Sequence, residues 1–426
     1  MEYQESAYIL QNIATGRKFN DTGWLLGDPE YPQPAIIRTI YEKKQLQVKE
    51  ERYGFYKFAD WLPLKRYLEG SSAPVTYRST ALAKSLGLDH LFISFNGYWP
   101  QKGAFMDTCS FKETEAYAVC GRMDTLSGKT LVVASAGNTA RAFAHVCSHN
   151  GIPLLLCVPK DYIDALWFGH PVADCVRLVC TLAGTDYYDA IRLSQTISSL
   201  DGFLEEGGAR NVARRDGMGT VVLSAVTSMG VIPDYYVQAV GSGTGAIAAW
   251  EANMRLSEDG WYGDKIMKLI TVQNHPFTPI YDAWRMGSRS LLPMDKAHAA
   301  LFLSETMAKV LSNRNPPYSI PGGLYDALLE TNGVVCTVTN REIARAAALF
   351  EQTEGIDIHP AAAAALAGLQ QQVDTGAINK KKIVLLNITG GGEKLCKEQR
   401  PVHFLRPVHE FAADASAEEV WERIRG

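Results

Sequence analysis

The sequence predicts an α/β chain with two doubly wound, mainly parallel-sheet domains, and three observations lead there. Short, mainly apolar runs recur at 131–134, 154–158, 176–180, 237–240, 268–272 and 383–388. Stretches of helix-forming composition separate them, with stops such as Gly151 followed by Pro153. Short runs that are mainly apolar and alternate with helices suit strands covered on both faces, which is the parallel arrangement. The strands are too many for one comfortable sheet, so two α/β units are expected: residues 71–105 with 216–426 as a larger domain, and 106–215 as a smaller one. Residues 1–70 read as an extension packed on the body.

The elements follow in order. Residues 8–11 read as a short strand and 15–18 as a turn. The aromatic-rich stretch 54–64 packs on the body. A short helix at 81–86 stops at Gly87, and 90–95 is a strand leading into the irregular run 96–103. Helices are expected from Glu113, over 139–150 and 187–200, and at 340–352 and 360–370.

Composition narrows the function classes. Of 426 residues, 46% are hydrophobic and 21% charged, as in a globular chain, and the net charge of −4 gives no basic field for nucleic acid. No apolar run reaches the length of a membrane span, and the polar, acidic start lacks the pattern of a signal peptide. The eight cysteines are scattered and read as reduced thiols, which points to the cytoplasm. The nine histidines are dispersed and give no metal pattern, so no metal is expected.

Four stretches carry chemistry, each at the carboxyl end of a strand or just before a helix, where ligands bind in such sheets. Ser110-Phe111-Lys112 places an amine at a helix start, where the positive end of the dipole disfavours a charged lysine. Ser135-Ala136-Gly137-Asn138-Thr139 combines small residues with a helix N-terminus able to hold a carboxylate or phosphate. Gly241-Ser242-Gly243-Thr244-Gly245 does the same after the strand 237–240. The next strand ends Thr271-Val272-Gln273-Asn274 without an acidic residue for a ribose, so a phosphate monoester fits this loop better than a dinucleotide. Asn387-Ile388-Thr389-Gly390-Gly391-Gly392 offers a neutral hydroxyl and three glycines that permit close approach. Together these suggest pyridoxal phosphate: Lys112 to carry it, Gly241, Ser242, Gly243, Thr244 and Gly245 for its phosphate, Asn138 near its ring hydroxyl and Thr389 at its ring nitrogen. A hydroxyl at that nitrogen suits elimination and replacement at Cβ or Cγ.

At these residues the chain resembles the threonine synthase branch of the fold-type II pyridoxal-phosphate enzymes, with the architecture of the tryptophan synthase β subunit, over nearly its whole length. Ser110-Phe111-Lys112, the loop 135–139, the loop 241–245, and Glu354-Gly355-Ile356 with Pro360-Ala361-Ala362 match that branch in order. The resemblance implies that Lys112 is the catalytic lysine. Departures refine it. The branch carries Asp-Arg-Gly after its lysine, and here the residues are Glu113-Thr114-Glu115. Thr15 stands where a zinc-binding cysteine is common, and the run 96–103 is unlike the ordinary members. These departures are similar to those of the branch's archaeal, sulfite-using paralogue. That likeness implies a β-replacement in which O-phospho-L-serine and sulfite give L-cysteate and phosphate, on the way to coenzyme M. Ser135, Ala136, Gly137 and Thr139 would then hold the substrate carboxylate. Lys102 and Arg141, with Arg78 and Lys160 behind them, are the cations put forward for the two dianions. A homo-oligomer is expected, with no nucleic-acid or membrane partner.

The alternative within the branch is threonine synthesis from O-phospho-L-homoserine and water. Outside it stand a nucleotide-binding oxidoreductase built on the loop 241–245 and a binding protein without catalysis.

Overall fold

The computed structural model describes residues 6–124 and 128–425; the first five residues of the polar start lie outside the described residues. The apolar runs are strands of two sheets. The larger sheet has six strands in the order Val334–Val338, Lys268–Asn274, Tyr235–Ala239, Ile383–Ile388, His90–Phe95 and Val75–Arg78. All its pairings are parallel except the last, which is antiparallel. The smaller sheet has five parallel strands in the order Phe203–Glu205, Thr130–Ala134, Leu154–Pro159, Val176–Thr181 and His409–Phe411.

Helices cover both faces of each sheet, which is why the strands carry apolar residues on both sides. One face of the larger sheet packs on Asn340–Glu354 and Pro360–Asp374, the other on Val212–Met229 and Thr244–Asp259. The alanine run 361–365 lets the second of these helices lie close to the sheet, and a Cβ on Gly368 would come within 2.4 Å of Val272. The smaller sheet is sandwiched between Lys112–Arg122 with Asn138–His149 on one face and Tyr187–Ser198 with Ala417–Arg425 on the other.

Two features depart from the expected layout. The division between residues 215 and 216 falls inside a single helix, Val212–Met229. Residues 409–411, placed with the larger domain, form a strand that pairs with Val176–Thr181 of the smaller sheet. Nothing in a three-residue strand announces its partner, because the pairing is decided by a sheet edge far away in the chain.

The N-terminal layer is a three-stranded antiparallel sheet of Lys18–Phe19, Tyr8–Asn12 and Ile37–Tyr41. Buried polar contacts tie it to the body. Thr39 and Tyr41 donate to Asp216, at 2.6 and 2.7 Å, and Arg38 meets Glu251 at 3.1 Å.

Candidate active site

A cleft opens where the carboxyl ends of the two sheets meet. Phe111, Lys112, the loop 135–139, the loop 241–245 and Thr389 all line it. The four stretches singled out in the sequence therefore converge, although as many as 277 positions separate them in the chain (Lys112 to Thr389).

Each is positioned by its own local structure. Lys112 opens the helix Lys112–Arg122, and the Phe111 N–H donates to the Thr389 carbonyl at 3.1 Å, pinning that helix start to the end of a larger-sheet strand. In the loop 135–139, the Ser135 hydroxyl accepts from the N–H groups of Gly137 and Ala140, both at 3.0 Å, and so caps the following helix from within. In the glycine loop, Gly243 has φ +80°, a conformation that favours glycine, and a Cβ on Gly245 would sit 2.5 Å from the Gln238 amide. The tight turn delivers the first N–H groups of Thr244–Asp259 to the cleft.

Glycines 390–392 have a different reason from close approach to a ligand. A Cβ on Gly391 would lie 2.6 Å from the Asp357 carbonyl, and one on Gly392 would lie 1.8 Å from that of Tyr98. They let the segments around residues 98, 109 and 358 interleave with the strand end, through the bridges Ser110–Gly390 and Ile358–Gly391.

The environment of Lys112 is a buried charge network. Its Nζ lies 3.0 Å from Glu115 Oε2. The other oxygen of Glu115 accepts from Thr139 Oγ1 at 3.0 Å and Arg214 Nη2 at 2.9 Å, and Arg214 Nη1 reaches Glu206 at 2.6 Å. Burial pulls the Lys112 amine below its ordinary value, while Glu115 pulls it back up. Desolvation and the positive end of the helix dipole both act against a charge on this lysine. Burial opposes the charge on Glu115, yet Arg214 and Lys112 hold its carboxyl below the usual range. Glu113 turns away from the cleft, accepts from the Thr108 N–H, and is pushed up to about 8 by burial and then by Asp107. Neither glutamate faces solvent.

The proposed cations do not join the cleft. Arg141 is buried, with its guanidinium 3.7 Å from the centre of the Trp167 ring and its Nε donating to the Trp167 carbonyl. Lys102 is exposed and lies over the rings of Tyr77 and Trp99. Lys160 pairs with Glu410 at 2.8 Å, and Arg78 donates to the Asp89 carbonyl. The cation that does line the cleft beside Lys112 is Arg214, accompanied by Tyr187, Gln238, Asn313 and His359. Sequence reasoning missed Arg214 because no neighbouring residue in the chain marks it; it reaches the cleft from a helix that is buried over residues 212–226.

Residues 76–390 match the model of the pyridoxal-phosphate dependent enzyme family. The chain is 46% identical over 401 residues to the cysteate synthase of Methanosarcina acetivorans, spanning 94% of this chain and 95% of that one. It is 50% identical over 367 residues to the cysteate synthase of Methanocella paludicola, spanning 85% and 86%.

The chain belongs to the cysteate synthase group of the pyridoxal-phosphate dependent enzymes.

The solved structures agree on the fold. Maize serine racemase superposes with a TM-score of 0.59 at 14% identity, over 76% of this chain and 91% of that one. The fungal L-serine ammonia-lyase from Rhizomucor miehei does so with a TM-score of 0.56 at 19% identity, over 75% and 93%. As a member of this family the chain is an enzyme that uses pyridoxal 5′-phosphate. The residues fit that group. A half-buried amine, a glycine turn at a helix N-terminus with no room for a Cβ, and a neutral hydroxyl at a strand end share one cleft.

Proposed function

We propose that the chain replaces the phosphate of O-phospho-L-serine with sulfite, releasing L-cysteate and phosphate. The observation that carries this reading is the meeting of Lys112 with two anion-holding helix starts in one cleft, in a chain whose relatives are named cysteate synthase. In this reading Lys112 carries the cofactor, Gly241 to Gly245 hold its phosphate, Asn138 lies near its ring hydroxyl and Thr389 at its ring nitrogen. When bound, the cofactor supplies an electron-withdrawing ring that acidifies the substrate Cα–H and lets the β-substituent depart.

The protein's own groups do the rest. Lys112 takes the Cα proton and later returns it to the same carbon. The Thr139 hydroxyl donates to Glu115, whereas the Ser135 oxygen accepts from Gly137 and Ala140 and keeps its own proton to donate, so the substrate carboxylate is held by the Ser135 hydroxyl and the remaining backbone N–H groups of that loop. Phe111, Met218, Val310 and Leu311 form apolar walls that limit water competing with sulfite at Cβ. Arg214 is already balanced by Glu115 and Glu206, so backbone donors carry much of the anion binding.

The test is a product assay on the purified holoenzyme with O-phospho-L-serine or O-phospho-L-homoserine, each with and without sulfite. Sulfite-dependent cysteate is expected. Threonine formed from phosphohomoserine at a higher kcat/KM than cysteate from phosphoserine would overturn the reading.

A further inference from the structure

Glu115 is the feature near the cleft that the reaction as described leaves unused. It stands three residues after Lys112, one helical turn away on the same face, and is fully buried. A buried carboxylate carries a heavy desolvation cost unless it is paired, and Glu115 is paired three times, to Lys112, Thr139 and Arg214. The three partners belong to three elements that line the cleft: the lysine helix, the asparagine loop and the helix Val212–Met229. One side chain thus fixes the amine relative to the loop expected to hold the substrate carboxylate.

We propose that Glu115 is a positioning residue for Lys112, holding its amine by one carboxylate oxygen and stabilising the positive charge that the amine gains on taking the substrate's Cα proton. In that step the Cα–H bond breaks and an N–H bond forms on Nζ; the electron pair of the broken bond stays on the carbon side and the proton remains on Lys112. Glu115 does not receive the proton. Its charge makes the ammonium tolerable in a dry site and so makes the amine a stronger base. The proton returns along the same line.

The other charged and titratable groups facing this pair are Arg214 of the helix Val212–Met229, Glu206 in the loop after Phe203–Glu205, and Tyr187 at the start of Tyr187–Ser198. Arg214 repels the protonated amine and Glu206 attracts it from further away. Glu115 is the carboxylate in direct contact, so its removal leaves Arg214 the nearest charge. The amine then gives up its proton more readily.

This rests on Lys112 being the cofactor-bearing residue, and its test is independent of the substrate. The full-length chain is freed of cofactor with hydroxylamine. The pH at which Lys112 becomes half-reactive toward acetic anhydride is then read by peptide mass spectrometry. In Glu115→Gln that midpoint is expected to fall by about one to three pH units. Glu115→Asp keeps the charge for Arg214 and guards against a folding defect; its midpoint is expected between those of the parent and the glutamine variant. In the holoenzyme, exchange of the Cα hydrogen of L-cysteate for deuterium is expected to slow about tenfold or more in Glu115→Gln and to recover in part in Glu115→Asp. A midpoint that stays at the parental value or rises in Glu115→Gln would overturn the proposal, as would unchanged exchange. Failure of the phosphoserine reading would leave the acetylation result as it is, so the two are told apart.

Discussion

Three buried carboxylates on the lysine helix or facing it do different things. Glu115 is held ionised by Arg214 and Lys112, Glu206 is pushed up by burial, and Glu113 is pushed up to about 8. The sign for Glu113 follows from linkage. The native state keeps it protonated at pH values where the unfolded chain has already released the proton, so its favourable contribution is complete below about pH 4.5 and is lost as pH rises towards 8. Glu113→Gln, which keeps the oxygen that accepts from Thr108, is therefore expected to raise Tm relative to the parent. The gain should grow between about pH 4.5 and 8 and level off above. Thermal melts at four or five pH values check it; a gain independent of pH would contradict the burial argument. The lysine, the asparagine loop and the glycine loop were legible in the sequence because each carries its chemistry in adjacent residues. Arg214, Tyr187, Asn313 and His359 were not, because each reaches the cleft through tertiary packing and has no local signature. For Arg141 and Lys102 charge alone was the guide, and charge does not say whether a guanidinium lies against Trp167 or in a cleft.

At the scale of elements, the site depends on how closely the lysine helix crosses Val212–Met229. Gly217 marks the crossing: a Cβ there would sit 2.4 Å from the Thr114 carbonyl and 2.6 Å from Ala118 Cβ. Both obstacles are backbone or short side chain and cannot swing aside. Gly217→Ala is expected to cost about 1–3 kcal/mol of stability by overpacking. It is also expected to lower kcat, because the helices that carry Lys112 and Arg214 would be pushed apart. Denaturant unfolding and a steady-state assay read the two effects, and a variant as stable and as active as the parent would contradict this packing. The strands at 90–95, 131–134, 154–158, 176–180, 237–240, 268–272 and 383–388 were readable, as were the helices expected at 340–352 and 360–370, which run on to Glu354 and Asp374; the strands Val75–Arg78, Phe203–Glu205 and Val334–Val338 were not. Val212–Met229 escaped because a helix buried all round has no polar face and thus no amphipathic period to detect.

At the scale of the whole molecule, the last residues complete the smaller sheet. Phe411, Val420 and Ile424 are buried against Leu155, Val179, Leu193 and Ile197. Ending the chain after Arg406 would expose that face and leave Val176–Thr181 as an open edge. Each lost apolar side chain is worth about 1.5–3 kcal/mol, a total comparable with the net stability of a typical domain. The truncated chain is expected to aggregate or to lose hydrogen-exchange protection in the smaller sheet first, while the larger sheet stays protected. Equal protection in both sheets would contradict the assignment of the C-terminal strand.

The two sheets matter to function because their carboxyl ends face one cleft, and Lys112 is the one lysine that lines it among the described residues. Borohydride reduction of the holoenzyme followed by peptide mass spectrometry tests this most directly. The account predicts a pyridoxyl group on Lys112, and on no other lysine. The group found on a different side chain, or on none, would contradict it.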